Sequence, residues 1–315
     1  MKKRLVQIAG WILLALSLFY LGRTATIHFA DIPLVEWSIP GIAAIIIAIT
    51  VYVGTVFIWG ASWVVLLRAV GEKRNLLFGV VVIGISQTAK YLPGNIAHHL
   101  GRIALAGHYG LNIGRVTLTM AVEMCWIVAA SCACALLALA LSKASTFSSI
   151  TGVEVWHLIA LMAAACALPF VAMSGIRRWG IPFSKMSVDH FGIQIANSTA
   201  SLTVFLSHFV NFFLQGGLLM LLAQGLFNVP LESYWLATGV FAFAWVAGFF
   251  APGVPAGLGV REAILATGLA LDTNMGSAIA LATGHRVVTV AGDVIVFGAA
   301  MLLRQLLSRE EIRDQ

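Results

Sequence analysis

Between residues 41 and 67 the chain carries no charged side chain, and apolar runs of similar length recur at 116–141, 201–226 and 277–303. A helix needs about 20 such residues to cross a bilayer, where every backbone polar group must be satisfied within the segment itself. These runs therefore predict an all-α polytopic membrane protein. Composition agrees: 60% of the residues are hydrophobic and 10% charged, whereas a soluble domain carries about a quarter charged residues. The apolar runs 5–21 and 156–175 bring the expected full spans to six.

The formal net charge of +6 does not point to nucleic acid, because the basic residues lie in short loops and at span ends. There they set topology. Arg68, Lys73 and Arg74 mark one cytoplasmic loop, Arg102 and Arg115 flank another, and Arg177, Arg178 and Lys185 mark a third. Arg304, Arg309 and Arg313 follow the last span, so both termini are expected in the cytoplasm of a bacterial inner membrane. The opening Lys2-Lys3-Arg4 precedes an apolar run long for a cleaved signal, and reads as the start of the first span. Cys125, Cys132, Cys134 and Cys166 all fall in apolar runs, without disulfide or zinc-ligand spacing.

Two polar stretches interrupt this pattern. One runs from Lys90 through Pro93-Gly94-Asn95 and His98-His99 to Arg102; the other covers Pro252-Gly253, Pro255, Gly257, Gly259, Arg261 and Glu262. Each splits an apolar segment (76–107 and 233–271) into two pieces, predicting re-entrant hairpins, which are tolerated only where they line a cavity or are buried in protein. The halves 41–141 and 201–303 then share one plan, a span, a broken hairpin and a second span, with opposite orientations in the membrane. Pro93 precedes Arg102 by the same spacing as Pro252 precedes Arg261, and Gly114 precedes Glu123 as Gly276 precedes His285. Inverted repeats with matching breaks characterise transporters, whose site lies at the repeat interface. A helix broken there offers unpaired N–H groups and a positive dipole end to an anion.

Lys90, Asn95, His98, His99, Arg102, Arg261 and Glu262 are accordingly the candidate headgroup-binding residues. Guanidinium groups suit the task because they bind phosphate through two parallel hydrogen bonds. Alternatively, Arg102, Arg261 and Lys90 cap short helices or snorkel to the interface. Glu123, His285, Arg286 and Asp293 lie within spans as an intramembrane charge network. Such a network either re-forms between conformations, with or without a proton, or neutralises arginines inside the bundle. Pro93, Gly94, Pro252, Gly253, Pro255, Gly257 and Gly259 shape the breaks. Adjacent histidines on a helix point about 100° apart, so His98 and His99 are not expected to chelate a metal. No cofactor is expected.

The Lys90-Tyr91-Leu92-Pro93-Gly94 and Gly101-Arg102 elements, together with Pro255-Ala256-Gly257-Leu258-Gly259-Val260-Arg261-Glu262, resemble the two hallmark motifs of the lysylphosphatidylglycerol synthase transmembrane-region family. That family includes the flippase half of the multiple peptide resistance factor. The resemblance covers nearly the whole chain, and implies a helical fold with re-entrant elements that translocates or handles lipids with charged or sugar headgroups. Ala256 departs from it, because relatives often carry Pro-Gly-Gly at this point. No soluble aminoacyl-transferase domain is expected, so lysyl-lipid synthesis does not carry over. The expected function is translocation of an anionic phospholipid, an aminoacyl-phospholipid or a polyprenyl-phosphate-linked sugar for cell-envelope assembly. A cell-envelope glycosyltransferase or a second copy of the chain is the matching protein partner. The alternatives are a membrane-embedded transferase, for which no convincing catalytic set is visible, and a non-transporting partner of an envelope enzyme.

Overall fold

The computed structural model describes residues 2–92, 97–141, 198–251 and 253–313, with scattered positions between 156 and 171. The expected span at 156–175, the loop carrying Arg177, Arg178 and Lys185, and the break residues Pro93, Gly94, Asn95 and Pro252 fall wholly or largely outside the described residues. All regular structure among the described residues is helical. In chain order the helices are α1 (Lys2–Ile27), α2 (Ile39–Ala69), α3 (Leu76–Gln87), α4 (Ala97–His108), α5 (Ile113–Leu141), α6 (Ser198–Gly225), α7 (Tyr234–Phe250), α8 (Val260–Leu269) and α9 (Met275–Arg313).

Among the described residues, four segments are long and apolar enough to cross a membrane: Ile39–Ala69, Ile113–Ala138, Thr199–Gly225 and Met275–Gln305. Residues on their outer faces are apolar, including Ile39, Ile46, Leu202, Val287, Val294 and Leu302, all well exposed. Arg102, Glu123, His208, His285 and Asp293 are buried instead. Apolar outside and charged inside is the pattern of a helix bundle surrounded by lipid.

The boundaries follow local chemistry. Ser38 caps α2 through a hydrogen bond from the Gly41 amide, and Asn75 and Ser233 cap α3 and α7 from the Phe78 and Leu236 amides. Side-chain oxygens of this kind satisfy amides that lack an intrahelical partner. The charge rule separates the two ends of the bundle. Glu72 and Arg115 form an ion pair at one end, where Arg74 also donates to the Tyr109 carbonyl. At the other end the Asp272 carboxylate accepts from the amides of Glu232 and Ser233, and the Glu36 amide donates to the Leu226 carbonyl.

These contacts also determine the topology. The Arg74–Tyr109 bond brings the start of α3 and the end of α4 to one end of the bundle. Asp272 likewise brings the start of α7 and the end of α8 to the opposite end. The two broken pairs thus enter from opposite ends, and their breaks, the turns Thr88–Tyr91 and Pro255–Gly257, touch in the middle. Helices α2 and α6, the first of each half, lie antiparallel: Gly41 approaches Gly225, while Leu66 and Val70 cluster with Ala200 and Val204. Packing also exchanges between the halves. Helix α5 packs on α6 and α7, and α9 packs on α2 and α3. Helix α1 stands outside the repeat against α8 and α9.

Small residues permit the close crossings. Gly60 of α2 lies against Gly79 and Val80 of α3, and Gly216 of α6 against Thr238 of α7, at corresponding places in the halves. The second break is held open by backbone conformation: Gly253, Ala256, Gly257 and Gly259 all have positive φ. Glycine adopts that region freely, whereas alanine does so at a cost.

Candidate functional site

A cavity of about 130 Å³ lies where the halves meet, large enough for several waters or a phosphate-sized group. Helix α2 contributes Tyr52, Thr55 and Trp59 to it, and α6 contributes His208, Asn211 and Gln215. Both sets have the i, i+3, i+7 spacing of a single helix face. Lys90 and His98 reach it from the first broken pair, Phe241, Trp245, Ala256 and Arg261 from the second, and Arg286 and Thr289 from α9.

Asp293 anchors the polar lining from behind. Its Oδ1 accepts from the Tyr52 hydroxyl at 2.8 Å, and its Oδ2 accepts from the Tyr91 hydroxyl at 2.5 Å and from Lys90 Nζ at 2.7 Å. The ion partner of Asp293 is thus a lysine of the first break rather than Arg286, which lies on its own helix face. Glu262 is engaged on both oxygens too: Oε2 accepts from the Gly259 amide at 2.6 Å, and Oε1 pairs with Arg286 Nη1 at 3.4 Å. The first of these contacts ties a carboxylate to the start of α8, where it favours the helix dipole. Arg286 also lies over the Tyr91 ring, so the two breaks and α9 form one connected cluster.

Arg261 has a different environment. Its aliphatic stem lies against the backbone of Gly248 and Gly257, and its guanidinium sits 5.6 Å from the Phe241 ring centroid. It has no hydrogen bond or ion pair among the described residues. Three more lining groups are buried without a partner: Arg286 Nη2, His98 Nδ1 and His208 Nε2.

Arg102 does not reach this cavity. Only 3% exposed, it donates to Glu123 Oε2 at 2.6 Å and stacks over Trp63 with 3.9 Å between its Cζ and the ring centroid. Trp59 Nε1 occupies the other Glu123 oxygen at 3.0 Å. The intramembrane charges expected as one network therefore form two groups, Arg102–Glu123 on one side and Lys90, Asp293, Arg286 and Glu262 on the other. His285 joins neither, donating from Nε2 to Gln215 Oε1 at 2.9 Å and lying tilted against Phe241 with ring centroids 5.0 Å apart. His98 and His99 lie closer than their helical spacing implies, with ring centroids 3.9 Å apart; only His98 lines the cavity. Among the described residues no cluster of three His, Cys, Asp or Glu is placed to hold a metal.

Sequence reading missed Tyr52, Trp59, His208, Asn211 and Gln215. The signal was present on α6, where three polar residues at i, i+3, i+7 mark one face of an otherwise apolar span. Tyr52 and Trp59 gave no such signal, because aromatic side chains are equally at home against lipid. No family model and no curated protein sequence matches the chain.

Proposed function

We propose that the chain is a multi-pass membrane transporter of the flippase type, moving a lipid with a charged headgroup between leaflets. In this reading it has six full spans and two re-entrant hairpins, lies in a bacterial inner membrane with its Arg74–Arg115 end cytoplasmic, and belongs with the lysylphosphatidylglycerol synthase transmembrane-region proteins its motifs resemble. The headgroup occupies the central cavity while the tails stay in lipid, and each broken hairpin gates access from its own end. The observation that carries the reading is Arg261: an arginine without a partner anion among the described residues, held by Gly248 and Gly257 at a cavity between two oppositely entering broken helices. Charge buried at this depth is costly unless a ligand or water meets it. Antiparallel halves support alternating exposure of such a site.

Proteoliposomes containing a head-labelled fluorescent phospholipid test this. The expected outcome is that protein accelerates loss of inner-leaflet protection against a membrane-impermeant quencher, and that Arg261→Ala slows it about tenfold or more. Equal rates in wild-type and protein-free vesicles, across anionic and sugar-phosphate lipids, would remove the transporter reading.

A further inference from the structure

The charge on the cavity wall bears on which headgroup enters. Lys90, Arg261 and Arg286 line it, and among the described residues no carboxylate does. Neither nearby acid lines it, and each is engaged on both oxygens, Asp293 by Tyr52, Tyr91 and Lys90, and Glu262 by the Gly259 amide and Arg286. Three cations against two carboxylates leave one formal positive charge in the cluster. The unpartnered nitrogens at the wall, on Arg261, Arg286, His98 and His208, lie on four elements from both halves. Those on Arg286, His98 and His208 have essentially no contact with solvent.

An ammonium entering this space would find no anion to receive it, and would lie among three cations in a medium where repulsion is poorly screened. A phosphate oxygen would meet donors on several sides, with one guanidinium free to bind it through two parallel hydrogen bonds. We infer that the cavity takes an anionic phosphate-ester headgroup and rejects one carrying a net positive charge, such as a lysylated phospholipid. The inference rests on the transporter reading only for its lipid source. Selectivity by charge belongs to the cavity itself and holds whether or not the protein translocates what it binds.

The test measures binding and translocation separately on the full-length protein. In nanodiscs, native mass spectrometry or a competition assay compares phosphatidylglycerol, polyprenyl phosphate, lysyl-phosphatidylglycerol and inorganic phosphate. Either anionic lipid is expected to bind at least tenfold more tightly than the lysylated one. Arg261→Gln, which keeps the shape, is expected to weaken anionic-lipid binding by about 10- to 100-fold and to leave the weak lysylated-lipid binding unchanged. Equal or tighter binding of the lysylated lipid overturns the inference, as does an Arg261→Gln variant with unaltered affinities. Inorganic phosphate competing as effectively as the lipids would assign the site to a soluble anion and overturn the lipid source. Should anionic lipid bind through Arg261 while proteoliposomes show no translocation, the selectivity stands and the transporter reading fails. Equal translocation of lysylated and anionic lipids would have the opposite effect.

Discussion

Arg102 and Arg261 hold corresponding places in the two halves, nine residues after a Pro-Gly break, yet they have opposite surroundings. Arg102 is sealed: Glu123 neutralises it, Trp63 covers one face, and almost none of it is accessible. The position corresponding to Glu123 in the second half is His285, which binds Gln215 instead. Arg261 has no ion pair among the described residues, and it lines the cavity. One side-chain difference between corresponding positions thus accompanies an arginine paired with a carboxylate in one half and, among the described residues, one without an ion pair in the other. Among the described residues the second half supplies a cation with no hydrogen bond or ion pair, while the first supplies Lys90, already paired with Asp293.

The largest expected effect tests the sealed half. Glu123→Ala leaves Arg102 buried without its anion, which costs about 3–5 kcal/mol; equilibrium unfolding in mixed micelles measures it. Ligand affinity of the surviving folded fraction is expected to be unchanged, because Arg102 does not line the cavity. A loss of stability below about 1 kcal/mol would mean that Arg102 escapes to solvent and that the halves differ less than their geometry indicates.

Arg261→Ala is expected to do the reverse. Stability stays the same or rises slightly, whereas affinity for an anionic lipid falls about 10- to 100-fold, corresponding to the roughly 1.5–3 kcal/mol of a hydrogen bond to a charged group. Giving the second half the first half's chemistry sharpens the contrast. In His285→Glu a carboxylate replaces an imidazole in the small pocket that also contains Arg261, and it is expected to neutralise the guanidinium and reduce anionic-lipid binding to the Arg261→Ala level. Retention of wild-type affinity in His285→Glu, with the protein folded, would show that the acid at this position does not decide the difference.

A smaller effect concerns the breaks. Ala256 has a φ of 49° within the second break, a conformation that costs an alanine roughly 1–2 kcal/mol. Ala256→Gly removes that cost but adds flexibility to the unfolded chain, so a net gain of about 1 kcal/mol is expected in the same unfolding measurement. An effect of similar size and opposite sign is expected for Tyr91→Phe, which removes one of three donors to Asp293 and should cost about 1 kcal/mol.

Much of the architecture was legible in residue order. Predominantly apolar runs of about 25 residues can form little besides bilayer-spanning helices, and α2, α5, α6 and α9 lie where those runs predicted. The paired Pro/Gly motifs marked both interruptions, and the glycines at 253, 257 and 259 adopt the positive φ that explains their presence. Partner choice was not legible. Lys90 and Asp293 lie some 200 residues apart, and which cation meets which carboxylate depends on helix rotation, which periodicity within one segment does not specify. The α6 face of His208, Asn211 and Gln215 could have been found by its spacing, but whether that face meets lipid, protein or a cavity depends on its neighbours.

The sequence by itself determined the long apolar helices and the places where they are interrupted, because hydrophobic length and backbone restriction act locally along the chain. Only the tertiary structure decided which of two equivalent arginines is paired with a carboxylate and which lines the cavity. Burial and ion pairing depend on distances between helices, so an Arg nine residues after a Pro-Gly can be neutralised in one half of the molecule and border a cavity in the other.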